Sequence, residues 1–98
     1  MGNRAGATAV YRPVADTAQT IAATTGGPVV SDVLSGNARH VVMWGEVAFR
    51  FEIGGAVAAA GSAAIPANAP FSFIAYSGET ISVLGLANGN VHIWEATT

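Results

Sequence analysis

Hydrophobic and polar positions alternate along much of the chain, and the period is that of β-strands. Val47, Phe49, Phe51 and Ile53 fall on one face, and Ala48, Arg50 and Glu52 on the other. A period of two marks a strand with one side buried. Pro70 to Tyr76 repeats the pattern, with Phe71 and Phe73 inward and Ser72 outward. Val41 to Trp44 is continuously apolar and reads as a more buried strand, with Gly45-Glu46 as the turn after it. Turn chemistry separates the runs at Gly26-Gly27-Pro28, Ser35-Gly36-Asn37, Gly54-Gly55, Pro66 to Pro70, Ser77-Gly78 and Asn88-Gly89. Short strands between such turns predict an all-β fold, a small β-sandwich or jelly-roll-like barrel.

The Asn88-Gly89 pair predicts a two-residue type I′ hairpin, because both positions tolerate positive φ. That register sets Ala87 opposite Asn90, Leu86 opposite Val91 and Leu84 opposite Ile93, with those aliphatic side chains in the core. The other hairpin face pairs Gly85 with His92 and Val83 with Trp94, with Ile81 two residues further along. Both faces are then partly apolar, so the second needs a covering layer or a neighbouring subunit. Ala56 to Ala60 is alanine-rich but lies between Gly55 and Gly61, and is too short for a stable helix. It reads as a loop or a short strand tail.

Residues 1–16 differ from the rest of the chain. They are rich in alanine, carry Arg4 and Arg12, and have Tyr11 as their one large aromatic, with Pro13 interrupting regular structure. The expected organisation is an extended N-terminal arm over 1–16 and one β-sandwich domain over 17–98. A frayed terminus with an edge strand behind it is the alternative.

Composition changes the picture in one respect. Of 98 residues, 51% are hydrophobic and only 10% charged, against about 25% charged in ordinary globular proteins. A surface so poor in charge predicts partial cover by a partner. No cysteine is present, so neither disulfides nor thiolate metal sites can staple this small core. Lysine is absent, which removes lysine general bases and Schiff-base chemistry. The net charge of −2 argues against nucleic acid. The start lacks the apolar stretch of a signal peptide, and no run is long and apolar enough to cross a membrane as a helix. The expectation is a protein made in the cytoplasm and kept or assembled there.

Candidate chemistry is sparse. Ser62 and Ser77 adjoin glycines without the nucleophile-elbow pattern. His92 and Glu95 have the spacing of a helical metal pair, but in a strand they point to opposite faces. His40 reads as a polar residue at a strand start. Glu46 and Glu52 are the nearest approach to a carboxylate pair, and Arg50 with Glu52 reads as an exposed ion pair of little value. Trp44, Trp94, Tyr11 and Tyr76 are the aromatics that an exposed sugar platform would need, although a tryptophan in a small sandwich is more often core or interface. The chain is therefore expected to be no enzyme, with no metal and no cofactor.

Four segments carry a family resemblance: Phe49-Arg50-Phe51-Glu52-Ile53-Gly54, Ile65-Pro66-Ala67-Asn68-Ala69-Pro70, Gly78-Glu79-Thr80-Ile81-Ser82-Val83, and Gly89-Asn90-Val91-His92-Ile93. This half of the chain resembles small accessory structural proteins of tailed bacteriophages. The resemblance implies a virion component on the capsid surface, first of all a decoration or cement protein that bridges major capsid subunits and assembles as a homotrimer. A head-fibre base, neck or tail component is the alternative within the virion, and a carbohydrate-binding β-sandwich module the alternative outside it. Partners would be the major capsid protein and further copies of the chain, with no nucleic acid and no membrane. Candidate interface residues are Arg4, Tyr11 and Arg12 in the arm, and Ile81, Val83 and Trp94 on the second hairpin face.

Overall fold

A computed structural model describes residues 12–34 and 39–97. Among them there is no helix. Nine strands form two antiparallel sheets packed face to face, which bears out the all-β sandwich. The strands are β1 (Arg12–Pro13), β2 (Gln19–Ala23), β3 (Val29–Val30), β4 (Arg39–Gly45), β5 (Phe49–Ile53), β6 (Ala63–Ile65), β7 (Phe71–Ala75), β8 (Ile81–Gly85) and β9 (Gly89–Thr97). The first sheet runs β9–β4–β7, with β1 and β2 in succession along the other side of β9. The second runs β3–β8–β5–β6. From β2 onward the chain changes sheet at every connection except β5–β6. That winding is jelly-roll-like, with each sheet built from strands distant in sequence.

The alternation of the sequence sets the two inner faces. Ile21, Val41, Met43, Val91 and Ile93 point inward from the first sheet, and Phe49, Phe51, Ile65, Ile81 and Val83 from the second. Phe49 is fully buried. Its ring occupies the space that a Cβ on Gly45 would enter, with Cδ1 only 2.7 Å from that position. Phe49 is also the cross-strand partner of Gly85. A Cβ on Gly85 would instead run into the backbone of Ala87 and Thr24, so the space that the Phe49 ring fills is the one left open by Gly45. The phenylalanines of β5 and β7 then continue the core toward one flank, with Phe51 lying 5.5 Å from Phe71 and 5.9 Å from Phe73, ring centre to ring centre.

Four connections clasp one another at one end of the sandwich. Gly85 donates its backbone N–H to Thr24 O, Leu86 to Ala48 O, Glu46 to Asn90 O and Asn68 to Gly45 O. The Asn88 side chain accepts from Thr25 N–H at 3.2 Å. Backbone groups of four loops satisfy each other here, so this end is tied together by long-range contacts.

These contacts overturn the expected hairpin. β8 and β9 lie in different sheets, joined by residues 86–88, and β8 pairs with β5 and β3 while β9 pairs with β4, β2 and β1. Ile81 and Val83 point into the core and are completely buried, whereas Leu86 is 49% exposed. Leu84 is only half-buried, on the outer face of the second sheet. The apolar character of both supposed hairpin faces has a simple cause: each strand belongs to its own two-sided sheet. Gly45-Glu46 likewise begins a crossing between sheets, from β4 to β5. The continuous apolar run 41–44 alternates in space, with Val41 and Met43 buried and Val42 and Trp44 half-buried outside.

Of the proposed arm, residues 1–11 lie outside the described residues. Arg12 and Pro13 form an exposed two-residue strand against Thr97 and Ala96. Between β1 and β2 the chain bulges. The register moves from Pro13↔Ala96 to Gln19↔Ile93, so five residues stand opposite two. Asp16 takes the left-handed conformation there, with φ of 62°. Thr17 mends the ladder: its Oγ1 accepts the Glu95 N–H at 3.0 Å and donates to Val14 O at 2.8 Å.

Candidate interaction surfaces

The charged side chains of β5 are engaged by the loop that leads to β6. Arg50 donates to Ser62 O at 2.9 Å, and Ser62 Oγ donates to Glu52 Oε2 at 2.6 Å while accepting from Ala59 N–H at 3.0 Å. Ala58 N–H donates to Ser82 Oγ at 2.9 Å, and both residues are buried. Residues 54–62 therefore fold over the outer face of the second sheet. Arg50 and Glu52 each hold Ser62 and are half-buried, a different arrangement from the exposed pair expected. Glu46 belongs to the first sheet's side of the molecule, so Glu46 and Glu52 share no cleft.

The outer face of the first sheet carries an aromatic cluster. Trp44 and His92 are directly opposite on β4 and β9, and their rings stack at 4.6 Å with 26° between planes. His92 Nε2 is 2.8 Å from Glu46 Oε2, and its Nδ1 is 3.5 Å from Thr20 Oγ1. Trp94, opposite Val42, is half-buried on the same face. Sequence reasoning separates His92 from Glu95 correctly but misses Glu46 as the partner of His92. That contact joins a loop to a distant strand, and no local spacing announces it.

One flank of the sandwich is a cleft between β2 and β3. Two adjoining hollows of about 290 and 240 Å³ share Ala18, Gln19 and Asp32. The Gln19 amide closes this edge, accepting from Asp32 N–H at 2.9 Å and lying 3.5 Å from Asp32 O on its donor side. Asp16, Asp32 and Glu95 line the hollow nearer β1. Among the described residues no group of three His, Cys, Asp or Glu side chains could hold a metal ion.

The opposite flank is different. It is made by β6 and β7, the last strands of their sheets, and neither has a strand on its outer side among the described residues. No charged residue falls between Glu52 and Glu79, so this whole flank, both strands and the crossing between them, lacks charge. Phe71, Ile74 and Tyr76 are 41%, 55% and 58% exposed along it. Edge strands of monomeric proteins are usually blunted by lysine, proline, bulges or inward charges. β7 carries none of these within its span; Pro66 and Pro70 stand just outside β6 and β7, at the ends that face the crossing between them.

The candidate interface residues thus divide. Arg4 and Tyr11 lie outside the described residues. Arg12 is exposed on β1, and Trp94 is half-buried on the outer face of the first sheet. Ile81 and Val83 are corrected to core positions, with no surface to offer a partner. Sequence reasoning does not single out the exposed apolar residues of β7 as a surface, because an edge position is a property of topology. Comparison with known protein families, curated proteins and solved structures finds no match to the chain.

Proposed function

We propose that this protein is a virion structural protein, a capsid decoration protein that stabilises the shell by bridging major capsid subunits. The observation that carries the reading is the uncharged flank of β6 and β7. A two-sheet domain with this little charge and an edge strand free of charge is suited to be covered by other protein. The resemblance over residues 49–95 to accessory proteins of tailed phages supports the same reading and supplies the capsid as the larger body. The mechanism is burial of uncharged surface at subunit joints, multiplied by repeated attachment across the particle. Purified protein is expected to add to capsids that lack it and to raise their melting temperature. Absence of binding at saturating protein would refute the proposal. A dozen or fewer copies per particle would move it to the neck, tail or fibre base.

The Trp44–His92–Glu46 cluster favours a second reading, a carbohydrate-recognising module. A ring platform beside a carboxylate offers stacking and hydrogen bonding to one sugar. Titration of tryptophan fluorescence with host polysaccharide tests it, with quenching expected to disappear in Trp44→Ala or Trp94→Ala.

A further inference from the structure

We infer that the outer edge of β7 pairs with β7 of a second copy about a two-fold axis, making one continuous sheet across the pair. The inference rests on the reading of this flank as an interface, and it names the occupant. β7 presents backbone N–H and C=O groups to which no strand is joined among the described residues, and such a row is a template for another strand. Its side chains make the template selective. Phe71, Ile74 and Tyr76 are exposed, and the flank from Ile53 to Gly78 has no charge.

Charge complementarity then chooses the partner. The other edge of the first sheet, at β2, is occupied by Gln19, whose amide is spent on the Asp32 backbone, and it is bordered by Asp16 and Asp32. Set against that flank, β7 would bury carboxylates opposite an apolar strand that itself carries no cation, a costly arrangement. A head-to-tail ring of copies is disfavoured on that ground. Of the two edges of the first sheet, the one that matches an uncharged, apolar edge is the same edge on another copy. A two-fold contact is self-complementary by construction, and an antiparallel β7 pair has the symmetry it needs. The exposed ring of Phe71, already in contact with Phe51 and Phe73, would close its open side against that of the partner. The geometry therefore points to a two-fold pair, where the family resemblance implied a trimer.

Sedimentation equilibrium of the whole chain over a concentration series, without capsids, is the test. The expected species is a reversible dimer. Ile74 is exposed and faces away from the core, so Ile74→Lys should leave folding intact and weaken the dimer by about tenfold or more. The chain has no cysteine, so Ser72→Cys can carry one spin label. Adjacent strands lie about 4.8 Å apart, and labels on β7 and its symmetry mate should show strong dipolar coupling. A chain that stays monomeric, a trimer, or a dimer that shows no label coupling and survives Ile74→Lys would overturn the inference. Capsid binding is scored separately with the unaltered chain, because Ile74 lies on the flank that the decoration reading also uses; capsid binding without self-association overturns the pairing alone, and self-association without capsid binding overturns the decoration reading alone.

Discussion

Gly45→Ala is expected to be among the most damaging single-methyl additions in this protein, and the reason is geometric. A Cβ built on Gly45 would lie 2.5 Å from Val47 O and 2.7 and 2.8 Å from Cδ1 and Cε1 of Phe49. Carbon atoms in contact prefer about 3.5–4.0 Å, so the ring must retreat by close to an ångström. Phe49 is completely buried and cannot do so without moving its neighbours. Overpacking of this kind costs about 1–3 kcal/mol. With a backbone oxygen and a locked ring both in the way, the upper end applies, roughly 3 kcal/mol. In a domain of this size that lowers Tm by roughly 10–20 °C. Gly61→Ala is the internal control, because a Cβ there meets nothing within 4 Å and its φ is not in the left-handed region. It should be neutral or stabilising by about 0.4–1 kcal/mol through the unfolded state. Urea titrations followed by tryptophan fluorescence and circular dichroism measure both. Phe49→Leu added to Gly45→Ala should recover about 1 kcal/mol relative to the sum of the single effects. If Gly45→Ala costs no more than Gly61→Ala, the packing of Phe49 against Gly45 is wrong.

The polar contacts predict three further outcomes. Ser62→Ala removes the hydroxyl held between Glu52 and Ala59, so it should cost about 1–3 kcal/mol and make the 54–62 loop the first site of limited proteolysis. Thr17→Val deprives the buried Glu95 N–H of its acceptor and should destabilise by about 1–3 kcal/mol, with hydrogen exchange rising first at β1. Glu46→Gln should change stability by less than about 1 kcal/mol, since the His92–Glu46 contact is exposed at Glu46 and only half-buried at His92; a larger loss in urea titration would show that the outer cluster is structural.

Strand identity is legible in the chain where one face is buried and the other wet. β5 shows this well, with Phe49 and Phe51 buried on the inner side; in β7 the alternation holds less far, since Phe73 is half-buried and Phe71, also expected inward, is exposed at the open flank. The glycine and proline turns also separate the observed strands. Strand partnership is not legible, and the last two strands show why. Asn88-Gly89 has the composition of a tight hairpin, but Gly85 and Leu86 give their N–H groups to Thr24 and Ala48, residues far away in sequence. Turn propensity is a local term, and it yields to backbone pairing among four loops. In a winding that changes sheet at nearly every connection, neighbours in sequence are rarely neighbours in a sheet.

The same limit governs the candidate surfaces. Low overall charge predicts a covered surface, yet it cannot say which one. Alternation correctly keeps Trp94 off the inner face, while only the assumed hairpin places Ile81 and Val83 on an outer one. The uncharged stretch between Glu52 and Glu79 is visible in the sequence, but it becomes an interface candidate only when β6 and β7 prove to be the last strands on the same flank.

The central claim is that this flank is covered when the protein works. Amide hydrogen exchange of Phe71–Ala75, compared between dilute protein and protein assembled on capsids, tests it most directly. Slow exchange along β7 in the assembled state, with faster exchange on dilution, is the predicted result. Equal exchange of β7 in both states, with new protection at β2 and β3 instead, would contradict it.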